Sequence, residues 1–87
     1  MDYAFALQHL ATIAAMRGQA ERACRLLGAS NALYERFSMP RDHTEQVLFG
    51  RTMSTLQAAL SAPELDLHLR EGASLPLTQA VSEALSE

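Results

Sequence analysis

Apolar side chains recur along this chain at intervals of three and four residues, the spacing of amphipathic helices. The longest such stretch extends from Gln19 to Phe37. It contains Gly28, which costs about 1 kcal/mol in mid-helix relative to alanine, and we therefore expect it to pack closely against a neighbouring helix. The face predicted to be buried comprises Ala23, Leu26, Leu27, Ser30, Leu33, Tyr34 and Phe37.

A first helix is predicted from Asp2 to Arg17, and it is apolar on two sides. The larger side comprises Tyr3, Leu7, Leu10, Ala11 and Ala14. Phe5, Ile13 and Met16 lie on the second side. A helix of this kind is normally packed between neighbours, and the sequence provides no helix before it. We therefore expect either a fragment of a longer protein or a dimer interface at these three side chains.

Short breaks separate the predicted helices. Gly18 is expected to end the first helix, so that the second returns antiparallel to it. Pro40 ends the second helix, because proline lacks a backbone donor and disfavours helical geometry in the residue before it. Asp42 and Glu45 form a capping-box pattern that starts a third helix.

The third helix is predicted to run to Leu60. Its apolar stripe comprises Phe49, Met53, Leu56 and Leu60, with Val47 beside it. Gly50 lies inside this helix, and the sequence leaves two interpretations open, a close helix approach or a tolerated surface glycine.

Two shorter helices follow. The fourth is predicted from Pro63 to Glu71, anchored by Leu65 and Leu69 and ended by Gly72. The inward residues of the fifth are expected to be Leu77, Ala80, Val81, Ala84 and Leu85. The pattern thus predicts an all-α antiparallel array of about five helices in one domain, with a helix pair in residues 1–37 and capping helices in residues 38–87.

Composition narrows the classes of function. Eighty-seven residues suffice for one domain, and a net charge of −3 argues against a nucleic-acid-binding surface. The single cysteine, Cys24, has no partner for an internal disulfide, and no signal peptide or long apolar run is present. We therefore expect a protein of the cytoplasm that does not enter membranes.

The first two predicted helices resemble a tetratricopeptide repeat, with the turn at Gly18. Ala23, Leu27 and Ser30 fall at the small, bulky and small positions of the second repeat helix. The matching residues of the first helix are Leu7, Leu10, Ala11 and Ala14, of which Ala14 departs from the usual tyrosine. The resemblance implies a repeat-type helical array.

A second resemblance covers most of the chain. The run RACRLLGASNAL is similar to the last helical repeat of large bacterial regulators that join an ATPase module to a tetratricopeptide-like sensor array. These are the ATP-binding LuxR-type transcriptional regulators, the related antibiotic-regulatory proteins and predicted ATPases fused to cyclase or kinase domains. The residues that carry the match are Ala23, Leu26, Leu27, Gly28, Ala29 and Leu33, followed by Leu60, Leu65, Leu69, Gly72, Leu75, Leu77, Ala80, Val81, Ala84 and Leu85.

The second resemblance implies that these residues are the C-terminal end of a sensor array. It implies no ATPase activity in them, because the Gly-x-x-x-x-Gly-Lys-Ser/Thr phosphate loop is missing and every basic residue is arginine. Ser38 and Ser61 stand where the family commonly has glycine, and Leu69 stands where it usually has an aromatic residue.

No catalytic, cofactor or metal site is predicted. His9, His43 and His68 lack metal-site spacing, and Glu64 with His68 is better explained as a surface helix pair. Cys24 is interpreted as a structural thiol, and capping accounts for the carboxylates of Asp42 and Glu45.

Four arginines in and before the second helix have the charge needed to form a groove that binds an acidic ligand. They are Arg17, Arg22, Arg25 and Arg36, and within this set Arg22 and Arg25 are spaced to share an anion. Ion pairs with Glu21 and Glu35 are the interpretation that we prefer.

The resulting hypothesis is a non-catalytic interaction or sensor segment of a bacterial signalling or transcription regulator. Its partner is a protein or a neighbouring domain, and we expect a homodimer that buries Phe5, Ile13 and Met16. Arg22 and Arg25 are further candidate interaction residues. Two alternatives are a small DNA-binding regulator domain, which the acidic balance disfavours, and an enzyme whose site a ligand or partner chain completes.

Overall fold

Five α-helices account for most of residues 3–85, the part of the chain that the computed structural model describes. They are α1 (Tyr3–Met16), α2 (Ala20–Arg36), α3 (His43–Ala59), α4 (Ala62–Ala73) and α5 (Leu77–Leu85). The described residues contain no strand, and the chain is an all-α helix array as the periodicity predicts. The predicted start at Asp2 and the side chains of Leu77 and Leu85, predicted to point inward, lie outside what the structure describes.

The central element is α2, which contacts all four other helices. The residues of α2 that were predicted to form its buried face are buried, from Ala23 through Tyr34. Phe37 lies just beyond the helix and is 60% exposed, so the prediction that Phe37 is buried is wrong. Cys24 and Ala29 on other sides of α2 are also buried. α2 is therefore the central core helix of the array, with Glu21, Glu35 and Arg36 on its exposed side.

Two glycines bring α2 and α4 into close contact. A β-carbon on Gly28 would lie 2.1 Å from the carbonyl oxygen of Leu69, and one on Gly72 would lie 1.9 Å from that of Arg25. The close approach predicted at Gly28 is therefore confirmed. The predicted capping role of Gly72 is wrong, because α4 continues to Ala73 and Gly72 lies within it, against the backbone of α2.

The turns that join the helices follow from backbone geometry. Gly18 has a φ of 77°, and the amide of Gln19 donates to the carbonyl of Ala14, which is the Schellman ending of a helix. The same arrangement ends α2, where Ser38 has a φ of 51° and the amide of Met39 donates to the carbonyl of Tyr34. A serine in this left-handed conformation is strained relative to glycine.

Capping boxes start both α3 and α4. Asp42 accepts from the amide of Glu45, and the Glu45 carboxylate accepts from the amide of Asp42, as predicted. An unpredicted second box joins Ser61 and Glu64 in the same way. The Ser-x-x-Glu spacing in the sequence was sufficient to find it.

α3 packs mainly on α1 and α4 mainly on α2, whereas α3 and α4 touch each other little. Leu56 is fully buried and Phe49, Met53 and Leu60 pack against the core, whereas Val47 is exposed. A β-carbon on Gly50 would meet nothing within 4 Å, which selects the surface interpretation of that glycine. Among the described residues, no helix has the length and apolarity needed to cross a membrane.

Candidate interaction surfaces

One side of α1 carries large apolar side chains that remain substantially exposed. Phe5, Ile13 and Met16 are 40%, 46% and 80% exposed. Together with the exposed His9 they recur every three or four residues, on the side opposite the buried Leu7 and Ala11. We call these four residues the outer stripe. Phe5, Ile13 and Met16 are the side chains that the sequence predicts at a dimer interface, and that assignment stays a prediction.

A groove continues the outer stripe towards α3. It holds about 580 Å³, and its walls are formed by Phe5, His9, Asp42, His43, Thr44, Glu45, Val47, Leu48 and Arg51. The ring of His9 packs edge-on against that of Phe5, with the ring centroids 4.3 Å apart. The lining of this groove is mostly apolar, which suits it to holding an apolar group.

Arg22 and Arg25 bind the last helix of the same chain. A guanidinium nitrogen of Arg22 donates to the backbone carbonyl of Glu83 over 2.7 Å. Nε of Arg25 lies 2.6 Å from a carboxylate oxygen of Glu83. From the sequence we preferred ion pairs of the arginines with Glu21 and Glu35. The structure instead pairs Arg25 with Glu83, which lies 58 positions later in the chain.

Arg41 is the centre of a polar cluster that sequence reasoning did not find. Its guanidinium lies between two aromatic rings, 4.2 Å from the centroid of Tyr34 and 4.4 Å from that of Phe49. It donates to the side-chain oxygens of Gln8 and Asn31. Three helices therefore meet at one cation, through cation–π and charge-assisted hydrogen bonds.

The rest of this cluster is also hydrogen-bonded. Gln8 is fully buried and donates to the backbone carbonyl of Glu45 over 3.0 Å, while the Tyr34 hydroxyl donates to the Glu45 carboxylate. Burial lowers the pKa of the Arg41 guanidinium, and the neighbouring Tyr34 and Glu45 oppose that shift. Among the described residues no buried side-chain nitrogen or oxygen lacks a partner. The cluster is therefore internally satisfied, which is typical of a structural site.

The residues considered for chemistry have structural surroundings. Cys24 is fully buried, and burial raises the pKa of its thiol to about 11, which keeps it protonated and a poor nucleophile. Nδ1 of His68 lies 2.7 Å from the carboxylate of Glu71, three residues later on α4. Within residues 3–85 no group of histidine, cysteine and acidic side chains could hold a metal ion.

Of the other two arginines of the candidate groove, only Arg36 lies apart from Arg22 and Arg25. The guanidinium of Arg36 lies 5.6 Å from the ring centroid of the exposed Phe37, at the far end of α2. Arg17 lines a small space beside Arg22, between α1, α2 and α5. The four arginines therefore do not form one surface.

Comparison of the chain with protein families, with curated proteins and with solved structures gave no match.

Proposed function

We propose that this chain is a non-catalytic helical interaction segment of a cytoplasmic bacterial signalling or transcription regulator. The observation that carries the proposal is the outer stripe of α1, where three large apolar side chains are exposed on one helix face. Exposing such a row to water is unfavourable in a monomer, and burial against another protein removes that cost. The groove beside Phe5 extends the same surface onto α3.

The resemblance to ATP-binding LuxR-type regulators supports the choice of parent protein. In that interpretation the chain is the C-terminal end of a tetratricopeptide-like array and part of a larger protein. The antiparallel pairing of α1 and α2 around Gly18 is compatible with a repeat of this kind. The segment would work by packing, presenting a helix surface to a partner or passing a shift on to a neighbouring domain.

The partner that we propose for the outer stripe is a second copy of the chain. Light scattering of the full chain is therefore expected to give the mass of a dimer. Met16→Arg and Phe5→Arg should each give the mass of a monomer, because a charge at the interface is left unpaired. Arginine suits the last position of α1, where it faces the negative end of the helix, so Met16→Arg should not weaken the fold.

Leu67→Arg is the matched control, since Leu67 is a 55% exposed leucine on α4, outside the outer stripe. This variant should remain a dimer. A monomeric native chain, or a dimer that Met16→Arg and Leu67→Arg weaken equally, would contradict the proposed interface. A salt-dependent shift of duplex DNA by the native chain would instead favour the DNA-binding alternative.

A further inference from the structure

The groove between α1 and α3 has two ends that differ in chemistry. The two helices run in the same direction, because Gln8 contacts Glu45 and, further along both helices, Thr12 contacts Thr52. The starts of both helices therefore form one end of the groove, which contains the capping box of Asp42 and Glu45. The other end of the groove lies towards Thr12 and Thr52.

This second end of the groove is basic. It contains His9 and Arg51, and we call these two residues the basic end. Arg51 lies roughly 9 Å further along α3 than Glu45, at a rise of about 1.5 Å per residue. His9 lies about one turn beyond Phe5 on α1. The two acidic side chains of the groove are thus separated from the basic end by most of its length.

The carboxylates of the groove are engaged within the chain, whereas the donors of the basic end are not. Asp42 accepts from the amide of Glu45, and the Glu45 carboxylate accepts from the amide of Asp42 and the hydroxyl of Tyr34. Within residues 3–85 the side chains of His9 and Arg51 form no hydrogen bond or ion pair. The basic end therefore offers donors and the fixed charge of a guanidinium, and its complement is an anion.

We propose that this groove binds a small organic acid, whose carboxylate lies between Arg51 and His9. The apolar body of the acid lies along Phe5, Val47 and Leu48, which supply the apolar lining. The volume of about 580 Å³ is within the range of small-molecule sites, about 300–1,000 Å³. A guanidinium can hold both oxygens of a carboxylate, and each apolar carbon that leaves water favours binding.

This proposal goes beyond the interaction function and does not require a dimer. The groove shares Phe5 and His9 with the outer stripe, but all of its lining comes from one chain, and Met16 is not part of it. The Met16→Arg chain should therefore bind the acid at least as tightly as the native chain does. Loss of binding in this variant would overturn the proposal, because the site would then form only between two chains. A monomeric native chain that binds the acid would contradict the dimer alone.

The choice of ligand is tested by isothermal titration calorimetry of the full chain with octanoate, octylammonium and octanol. These probes have the same alkyl chain and differ only in their head group. Octanoate is expected to bind at least roughly tenfold more tightly than either of the others, through charge-assisted hydrogen bonds to the basic end. Equal affinity for the three probes would overturn the proposal, as would the absence of octanoate binding at millimolar concentration.

Substitutions test where the ligand lies. Arg51→Gln should weaken octanoate binding roughly tenfold. Its matched control is Arg70→Gln, at an exposed arginine that pairs with Asp66 on α4, and this variant should bind octanoate as the native chain does. Val47→Ser should weaken octanoate binding by roughly threefold to tenfold through the lost apolar contact. Equal octanoate affinity of the Arg51→Gln and Arg70→Gln chains would overturn the proposal, because the carboxylate would then not lie at the basic end.

Discussion

Gly28 is the residue whose side chain, a single hydrogen, matters most for the packing of α2. Alanine there gains about 1 kcal/mol of helix propensity, but its β-carbon would lie 2.1 Å from the carbonyl oxygen of Leu69. The obstacle is backbone, so the two helices must move apart. We expect Gly28→Ala to lower the free energy of unfolding by about 2 kcal/mol net, and Gly28→Leu by more.

Gly50→Ala is the matched control for this prediction, because its β-carbon would meet nothing within 4 Å. This variant should be stabilised by about 0.5–1 kcal/mol. Guanidinium denaturation followed by circular dichroism measures both variants. If Gly28→Ala melted higher than the native chain, the close contact between α2 and α4 would be wrong.

Ser38 has a positive φ of 51° at the end of α2, in a region that disfavours residues with a β-carbon. We expect Ser38→Gly to raise the free energy of unfolding by about 0.5–1 kcal/mol, which is the relieved strain less the entropy that glycine loses on folding. Ser74→Gly, at a residue with a φ of −86° after α4, should instead lower it. Thermal unfolding measures both variants. If the midpoint temperatures of both variants shifted in the same direction, this explanation would be contradicted.

At the scale of elements, local patterns predicted the helices well and their partners poorly. The capping box of Asp42 and Glu45 and the turn at Gly18 depend on residues a few positions apart, so the sequence contains the whole interaction. The crossing of α2 and α4 at Gly28 and Gly72 joins residues far apart in the chain. Periodicity identifies a face but does not say which helix covers it, and Gly72 was therefore misread as a cap.

The stabilisation provided by the capping box that begins α4 is expected to depend on pH. Hydrogen bonds from the side chain and backbone of Ser61 lower the pKa of the Glu64 carboxyl below its ordinary value of 4.5. Because the pKa is lower in the folded state, the stabilisation is present above pH 4.5 and is lost as the pH falls through the lowered pKa. Nuclear magnetic resonance titration should show the Glu64 pKa returning towards its ordinary value in Ser61→Ala.

Thr55→Ala is a suitable control for this titration, since the Thr55 hydroxyl donates to the carbonyl of Arg51 within α3. It should leave the Glu64 titration unchanged. A Glu64 pKa that stays low in Ser61→Ala would show that the capping box is not the cause of the shift.

For the molecule as a whole, the outer stripe was predictable and the two arginine-centred contacts were not. Phe5, Ile13 and Met16 lie on one helix, and their exposure follows from their angle relative to the buried face. Arg22 donates to a carbonyl of α5 that is 61 residues away, and Arg41 meets side chains from α1, α2 and α3. Neither Arg22 on α2 nor Arg41 on the turn before α3 has a local pattern that distinguishes a contact with the protein from a solvated arginine.

Arg41 is the contact on which the arrangement of α1, α2 and α3 most depends. Arg41→Ala removes the donor to the fully buried Gln8 and the cation between Tyr34 and Phe49, and leaves the Gln8 oxygen without that bond. We expect the free energy of unfolding to fall by about 2–4 kcal/mol. Arg41→Lys should recover less than half of this loss, because an ammonium group cannot reproduce the planar fork between the rings.

Arg36→Ala is the control for the prediction at Arg41, since Arg36 is an exposed arginine 5.6 Å from the ring centroid of the exposed Phe37. It should change stability by no more than about 0.5 kcal/mol, the scale of an exposed cation–π contact. Denaturation in guanidinium should thus separate Arg41→Ala clearly from Arg36→Ala. Equal effects of the two substitutions would mean that Arg41 is solvated in solution, and that helix packing alone holds α3 against α1 and α2.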